Sequence, residues 1–153
     1  FLNPDADPLG SGYHVMQSKI AIGSGGILGK GFTEGTQGKL MFLPEHHTDF
    51  IFSVLSEEWG LLGSLVVIAL FLTLVICGLN TAGGSKDRFG FLIAFGITSM
   101  FFWQIVINLG MVSGILPVVG VPLPFISYGG SFLITSMISA GLLLNIKMRK
   151  FIF

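Results

Sequence analysis

Charged residues are scarce in this chain of 153 residues. They make up 10% of it, against about a quarter in a typical soluble domain, while hydrophobic residues make up 52%. The mean hydropathy is +0.84. From residue 89 to residue 146 there is no Asp, Glu, Lys, Arg or His at all. Because that stretch is nearly three times the roughly 20 residues that one membrane-spanning helix needs, we expect the chain to cross a membrane more than once.

Two further absences limit the function. The formal net charge is zero, so the sequence lacks the excess of basic residues that a nucleic-acid partner would require. The single cysteine, Cys77, cannot form an internal disulfide, and its apolar surroundings indicate a packing role.

The chain does not begin with Met, and its opening FLNPDADPLG lacks the basic start and apolar core of a signal peptide. We therefore expect further residues upstream in the natural protein.

The pattern predicts an all-α, polytopic membrane helix bundle with three spans. The uncharged core of the first span is Gly60–Leu79, and the helix is predicted to begin earlier, near Thr48 or Asp49, either of which could cap it. The predicted organisation is a water-facing segment 1–48, spans 49–79, 89–109 and 131–147, loops 80–88 and 110–130, and a tail 148–153. Within the first segment, Tyr13–Ile22 is predicted to form a short helix at the membrane surface.

The basic residues near the span ends predict the orientation. They lie in the first loop and in the tail, which three spans place on the same side, and both are predicted to be cytoplasmic: Lys86, Arg88, Lys147, Arg149 and Lys150. Loop 110–130 has no basic residue, which suits the outer face. Residues 1–48 are then also outside, despite Lys19, Lys30 and Lys39.

A polar cluster at residues 42–60 is the first candidate for a functional site. On a helix starting near Thr48, small and polar residues share one stripe, which predicts packing against other helices or a cavity: Asp49, Ser53, Ser56, Gly60, Gly63 and Ser64. Ionisable groups at a membrane boundary are functional candidates, although position alone slightly favours a helix cap with interfacial solvation as their explanation. Glu57 and Glu58 point in different directions on a helix and are interpreted as marking the water interface. His46-His47 lacks the i, i+4 spacing of a helical zinc site.

Three other features have simpler interpretations. The glycine run Gly23–Gly31 fails the spacings of the phosphate loop and of the dinucleotide-binding fingerprint, so it is interpreted as a turn, with a weak alternative as a pyrophosphate cradle. Loop 114–130 contains Pro117, Pro122 and Pro124, which fits a rigid connection packed into the bundle or, alternatively, a lip that contacts a lipid tail or a partner. Asn108 and Gln104 are predicted to bond neighbouring helices.

The motifs as a whole resemble the SEDS family of peptidoglycan glycosyltransferases. The similarity rests on GSGYHVMQSKIAIGSGG, GTQGKLMFLPEHHTDFIFSVLSEEWG and NLGMVSGILPVVGVPLPFISYGGS, and extends over essentially the whole chain. The forms GTQ-x-x-L-x-FLPE-x-HTDFIF and GMVSGILPVVGVPLP are more similar to the RodA branch than to the division branch FtsW. The resemblance implies a ten-helix protein of the bacterial inner membrane. This chain would then hold most of a large extracytoplasmic loop and the last three helices.

The resemblance also implies an activity. The family polymerises lipid II into glycan strands on the outer face during cell elongation, with a class B penicillin-binding protein as its usual partner and membrane lipid around it. The essential aspartate of the HTDF motif corresponds to Asp49, a general base for an inverting transfer that releases undecaprenyl pyrophosphate. Help at the pyrophosphate could come from a divalent cation (Mg²⁺ or Mn²⁺) or from nearby side chains, and the substrate-binding candidates are Lys39, Glu45, His46, His47 and Glu57.

Two alternatives to the enzyme remain at this point, a lipid II flippase and a scaffold. The distribution of polar residues weighs against the flippase. A lipid II flippase would need polar groups near the bilayer midplane, where the sequence offers only uncharged residues: Thr73, Thr98, Ser99 and Thr135. A scaffold that activates the transpeptidase would make Asp49 dispensable for polymerisation. Because three helices cannot enclose a site for two substrates, the chain is expected to be only part of the enzyme.

Overall fold

The computed structural model describes residues 11–31 and 49–149. Within those ranges the chain forms four helices and no strand: α1 (Ser11–Ser24), α2 (Ile51–Gly83), α3 (Arg88–Val112) and α4 (Gly130–Arg149). Helices α2, α3 and α4, of 33, 25 and 20 residues, are long and apolar enough to cross a membrane. The predicted all-α membrane bundle with three spans is therefore confirmed. A helix also covers the predicted segment Tyr13–Ile22.

The spanning helices expose large apolar side chains and bury small or polar ones. Leu65, Leu72 and Leu144 are each more than half exposed, as expected of side chains that face lipid. Gly78 of α2 lies directly against Thr98 of α3, in a space that a Cβ would fill. Small residues of this kind let helix backbones approach closely inside a membrane, where dispersion contacts replace the hydrophobic effect.

Helix α2 is broken at Gly60. This residue has φ 65° and ψ −161°, a conformation that is essentially open only to glycine. The membrane-crossing part of α2 is therefore residues 61–83, and residues 51–59 form a separate short helix in front of it. That short helix begins at Ile51 with Phe50 in the cap position and no side-chain cap hydrogen bond. The cap position is occupied by Phe50 and not by Asp49, and the Ser53 N–H and hydroxyl both donate to the Phe50 carbonyl. Thr48 lies outside the described residues.

The glycine run is inserted into this break. In an unbroken helix the carbonyls of Glu57 and Glu58 would accept from the N–H groups four residues later. Here four other bonds replace them: Lys30 N to Glu57 O (3.1 Å), Gly31 N to Glu58 O (3.1 Å), Leu61 N to Gly26 O (2.9 Å) and Leu62 N to Ile27 O (3.2 Å). The run contains a turn, as predicted. Its backbone also supplies the hydrogen-bond partners that residues 57–62 lose at the break in α2.

The two ends of the bundle have different neighbours. At one end α1 packs on the last turn of α3, where the buried Ser18 hydroxyl donates to the Val112 carbonyl at 2.8 Å. At the other end the α2–α3 loop and the last turns of α4 line a cleft of about 760 Å³. Lys86 and Arg149 both line this cleft. The two basic sites used to predict the orientation therefore lie at the same end, as three spans require.

Candidate functional site

Three segments of the chain meet around Asp49. This residue lies in the turn at positions 49–50, just before α2. Its backbone carbonyl accepts a hydrogen bond from Asn108 Nδ2 of α3, at 2.9 Å. The same Nδ2 donates to the Val121 carbonyl, at 2.7 Å, in the Pro-rich loop (residues 114–130). One buried amide therefore joins the start of α2, the end of α3 and the Pro-rich loop, and it positions the backbone that carries the predicted catalytic carboxylate.

The Asp49 carboxylate faces a residue that has no side chain. A Cβ at Gly120 would lie 3.2 Å from Asp49 Oδ2, which is tighter than most real contacts. Gly120 is exposed and has φ +65°, and Asp49 itself is partly exposed. The carboxylate thus lies at the protein surface, in close approach to a loop residue at which a side chain would crowd it.

The Pro-rich loop is held rigidly by its own contacts. Leu123 and Pro124 are fully buried. Leu123 N–H donates to the Ser127 hydroxyl at 2.7 Å, and Ser127 N–H donates to the Leu123 carbonyl at 3.1 Å. Phe125 adopts φ 63°, unusual for a residue with a side chain, and its ring lies 5.6 Å from that of Phe101. The part of the loop around Leu123 and Pro124 is packed into the bundle, as predicted.

The same loop also has an exposed apolar part. Ile115 and Tyr128 are each 81% exposed and Val119 is 58% exposed. These side chains flank the packed segment that contains Leu123 and Pro124. The alternative interpretation of the loop as a lip for a lipid tail or a partner therefore stays a prediction with a surface to support it.

Glu57 does not mark the water interface as the sequence suggested. Its side chain is completely buried, and its Oε1 lies 2.7 Å from Lys30 Nζ. The interpretation was wrong because the glycine run covers this face of the helix and brings the lysine with it. The Ser24 hydroxyl lies 3.5 Å from the same oxygen. Glu58, one position on, is partly exposed. A buried ion pair therefore fastens the run to the short helix that follows Asp49.

The small and polar stripe of α2 is buried, as predicted. Ser53, Ser56 and Ser64 are at most 8% exposed, and Gly60 and Gly63 are buried with them. The Ser64 hydroxyl donates to the Ser56 hydroxyl at 2.8 Å, across the break at Gly60. The stripe therefore holds the two parts of the helix in register as well as packing them against the rest of the bundle.

The remaining site candidates fall outside the described residues: Lys39, Glu45, His46 and His47. Nothing in the structure tests their predicted contact with substrate. Within residues 11–31 and 49–149, no three His, Cys, Asp or Glu side chains come together in a way that could hold a metal ion. Of the six residues predicted for the site, the structure thus positions Asp49 and Glu57.

Sequence reasoning missed three parts of this arrangement. It predicted that Asn108 bonds a neighbouring helix, whereas the partners are carbonyls in two irregular segments. It did not single out Gly120 or the pairing of Lys30 with Glu57. An asparagine in a long uncharged run is the signal that a buried polar contact exists, because an unbonded amide in a membrane is costly. The identity of its partners requires the fold.

Known proteins are similar to this chain in sequence and in fold. The family model described as the cell cycle protein family FTSW/RODA/SPOVE matches residues 1–151. The peptidoglycan glycosyltransferase MrdB of Escherichia coli K12 is 56% identical over 97% of this chain. The peptidoglycan glycosyltransferase RodA of Treponema pallidum is 49% identical over 98% of it, and a probable peptidoglycan glycosyltransferase FtsW of Geobacter metallireducens is 50% identical over 97%.

Two solved structures have the same fold. One, of a peptidoglycan synthase complex that coordinates polymerization and crosslinking, has a TM-score of 0.77 and 36% identity over 99% of this chain and 40% of its own. The other, a mutant of the Thermus thermophilus rod shape determining protein RodA, has a TM-score of 0.65 and 36% identity over 70% of this chain and 36% of its own. The chain spans 40% of the length of MrdB and 35% of Treponema RodA. By sequence and by fold, the chain belongs to the FtsW/RodA/SpoVE family of cell cycle proteins.

Proposed function

We propose that this chain is the part of a peptidoglycan glycosyltransferase that activates the acceptor sugar during polymerisation of lipid II. The observation that carries the proposal is the position of Asp49. Asp49 is partly exposed, its carboxylate lies close to the backbone of the exposed residue Gly120, and its own backbone is held by the buried Asn108 amide. A base needs this combination of access to substrate and a fixed position. The names of the relatives support the reaction class.

The proposed chemistry is a single inverting displacement. Asp49 accepts the proton of the acceptor sugar's 4-hydroxyl as that oxygen attacks the anomeric carbon of the donor. The bond from that carbon to the pyrophosphate oxygen breaks, and undecaprenyl pyrophosphate leaves with the electron pair. General-base catalysis by one group contributes about a hundred- to ten-thousand-fold. The described residues contain no cluster of His, Cys, Asp or Glu that could bind a metal ion. A divalent cation at the pyrophosphate would therefore need ligands from other parts of the protein.

The distribution of polar groups favours an enzyme over a flippase. In the middle of the spans, the hydroxyls of Thr73, Thr98 and Thr135 each donate to a carbonyl of their own helix, four residues earlier. Such hydroxyls are satisfied locally and provide no polar path across the bilayer. Asp49 and Glu57 lie at the end of the bundle opposite Lys86 and Arg149. If those basic residues are cytoplasmic, as the positive-inside rule predicts, the reaction takes place at the outer face.

A transpeptidase partner is part of the proposal. One neighbour in structure is a complex that coordinates polymerization and crosslinking, and this chain has that fold over almost its full length. The exposed apolar residues of the Pro-rich loop, Ile115, Val119 and Tyr128, give a surface near Asp49 on which a class B penicillin-binding protein could act. Lys39, Glu45, His46 and His47 remain the proposed contacts to the two substrates, because they lie in the segment that leads into Asp49.

The test compares two identical chemical changes at opposite ends of the bundle. The full-length protein that is expected to contain this chain is purified with its transpeptidase, and glycan strands are measured from labelled lipid II. Asp49→Asn should abolish polymer, with lipid II binding and the complex retained. Asp87→Asn, at an exposed carboxylate beside the far cleft, should leave the rate within about twofold of wild type, since it lies far from the proposed base. Polymerisation by Asp49→Asn at the wild-type rate would refute the assignment of the base and favour a scaffold.

A further inference from the structure

Asn108 is an unusual residue for its place in the fold. It lies in α3, in the part of the chain that has no charged residue for 58 positions, and its side chain is 0% exposed. Both bonds from its Nδ2 go to backbone carbonyls that are 59 and 13 positions away in sequence. Among the described residues, its buried Oδ1 has no hydrogen-bond partner.

We propose that Asn108 is a positioning residue for the reaction, acting through Asp49. This inference rests on the proposed function. Asp49 lies before the first residue of α2, where the hydrogen-bond ladder of a helix does not hold its backbone. The Asn108 amide binds the Asp49 carbonyl at 2.9 Å and the Val121 carbonyl at 2.7 Å. Val121 follows Gly120, the residue that the Asp49 carboxylate faces.

The two hydrogen bonds therefore set the distance between the backbone of Asp49 and the backbone of the loop at Val121. They fix the backbone of the base relative to the loop wall beside it, across which an acceptor hydroxyl would have to approach. A displacement of about 1 Å in such a group can reduce a rate about a hundredfold, even when the reacting residues themselves are unchanged. The role requires two N–H donors on one short side chain. Among residues of this size, asparagine supplies them, whereas Leu supplies none and Asp supplies at most one, when it is protonated.

Two substitutions remove the donors with opposite risks to folding. Asn108→Asp keeps the shape and puts a carboxylate next to two carbonyls. Asn108→Leu removes the donors and also the unpaired acceptor, so its effect on stability is partly offset. The matched control is Thr98→Val, on the same helix: Thr98 is 2% exposed, and its hydroxyl donates to the Ala94 carbonyl of its own helix. If Asn108→Asp does not fold, Asn108→Leu alone decides.

The experiment measures kcat and KM for lipid II in the full-length protein with its transpeptidase, together with the melting temperature. We expect both Asn108 variants to lower kcat about ten- to a hundredfold, with KM within about twofold of wild type. Thr98→Val should lower the melting temperature by a similar amount while keeping kcat. A kcat within twofold of wild type for Asn108→Leu, or a fall no larger than that of the control, would overturn the proposal.

The same assay separates this inference from the proposed function. If Asp49→Asn is inactive and the Asn108 variants are active, only the positioning role fails. If Asp49→Asn is active, the base itself is wrongly assigned, and an effect of Asn108 on kcat would have to act through another group, which would overturn both.

Discussion

The two ends of this helix bundle hold their shape in different ways. At the end with Asp49, side-chain contacts join residues far apart in sequence: Ser18 to Val112, Lys30 to Glu57, and Asn108 to Asp49. At the opposite end, among the described residues, the Ser85 hydroxyl donates to the Asp87 carbonyl at 3.2 Å, only two positions along the chain. Lys86, Asp87 and Arg149 are exposed there.

The difference follows from what each end has to do in a membrane. Irregular backbone at membrane depth survives only where protein groups satisfy it, and the Asp49 end contains three such pieces: the turn before α2, the break at Gly60 and the Pro-rich loop. Each is held by polar groups from elsewhere in the chain. The opposite end is a short water-facing connection with basic residues, which is sufficient to orient the spans. Long-range polar contacts therefore concentrate at the end that contains Asp49, the proposed base.

The largest effect should come from filling the break at Gly60. A Cβ there would meet the Gly29 backbone nitrogen and lie 2.7 Å from the Ile27 carbonyl oxygen, and φ 65° with ψ −161° is strained for any side chain. Strain and overpacking each cost about 1–3 kcal/mol, so Gly60→Ala should lose about 3 kcal/mol or more. The measurement is thermal unfolding in detergent.

Gly96→Ala is the matched control for this change. Gly96 lies inside α3, and a Cβ there would meet nothing within 4 Å. Since alanine is a better helix former than glycine by about 0.8–1 kcal/mol, this variant should be unchanged or slightly more stable. Equal melting of Gly60→Ala and wild type would show that the inserted glycine run does not hold the break.

The next effect concerns the ion pair at the same end. Lys30→Met leaves the fully buried Glu57 carboxylate without the ammonium at 2.7 Å. Breaking a buried pair costs about 3–5 kcal/mol, but Lys30 is 31% exposed, and solvent screening should reduce the loss to about 1–3 kcal/mol. Glu57→Leu should destabilise as well, whereas the double variant should recover part of the loss. A double-mutant cycle on unfolding free energies measures this coupling, and strictly additive losses would contradict it.

The helix break at Gly60 and the Lys30–Glu57 ion pair are features that could not be predicted from the sequence. The spans could be predicted, because the absence of charge over 58 residues has one physical explanation. The burial of Ser53, Ser56 and Ser64 could be predicted from their shared face. The break could not, because a glycine between Trp59 and Leu61 reads as a close-packing residue. Only the contact with Gly26–Gly31, thirty positions earlier, makes it a break.

In the candidate site, too, some features could be predicted from the sequence and others could not. Asp49 was identified through a motif, which reports chemistry without geometry. Glu57 was placed at the water surface because it is adjacent to Glu58 and the two side chains point in different directions on a helix; its actual partner, Lys30, is 27 positions away. Local patterns therefore predicted the helices and pointed to Asp49 as the candidate base, while the contacts that hold Asp49 in place are non-local and needed the fold.

A smaller effect is expected at Gly120. A Cβ there would lie 3.2 Å from Asp49 Oδ2, so the carboxylate or the loop would have to shift by a few tenths of an ångström. With φ +65° in an exposed loop, Gly120→Ala should cost about 1 kcal/mol and lower the polymerisation rate several-fold. Gly129→Ala, whose Cβ would make an ordinary 3.6 Å contact with Phe132, should keep the rate. Identical rates for the two variants would mean that the acceptor does not approach past Gly120.

The smallest effect should come from the opposite end, and it tests the comparison most directly. Lys86→Gln and Arg149→Gln each remove an exposed charge from the cleft between α3 and α4. Arg149 lies in the last turn of α4, where a cation stabilises the helix by about 0.3–1 kcal/mol. Neither residue contacts the elements around Asp49, so polymerisation measured on lipid II should stay within about twofold of wild type. A tenfold fall at unchanged melting temperature would show that the two ends are coupled, and the polar contacts around Asp49 would then be only part of what holds the site.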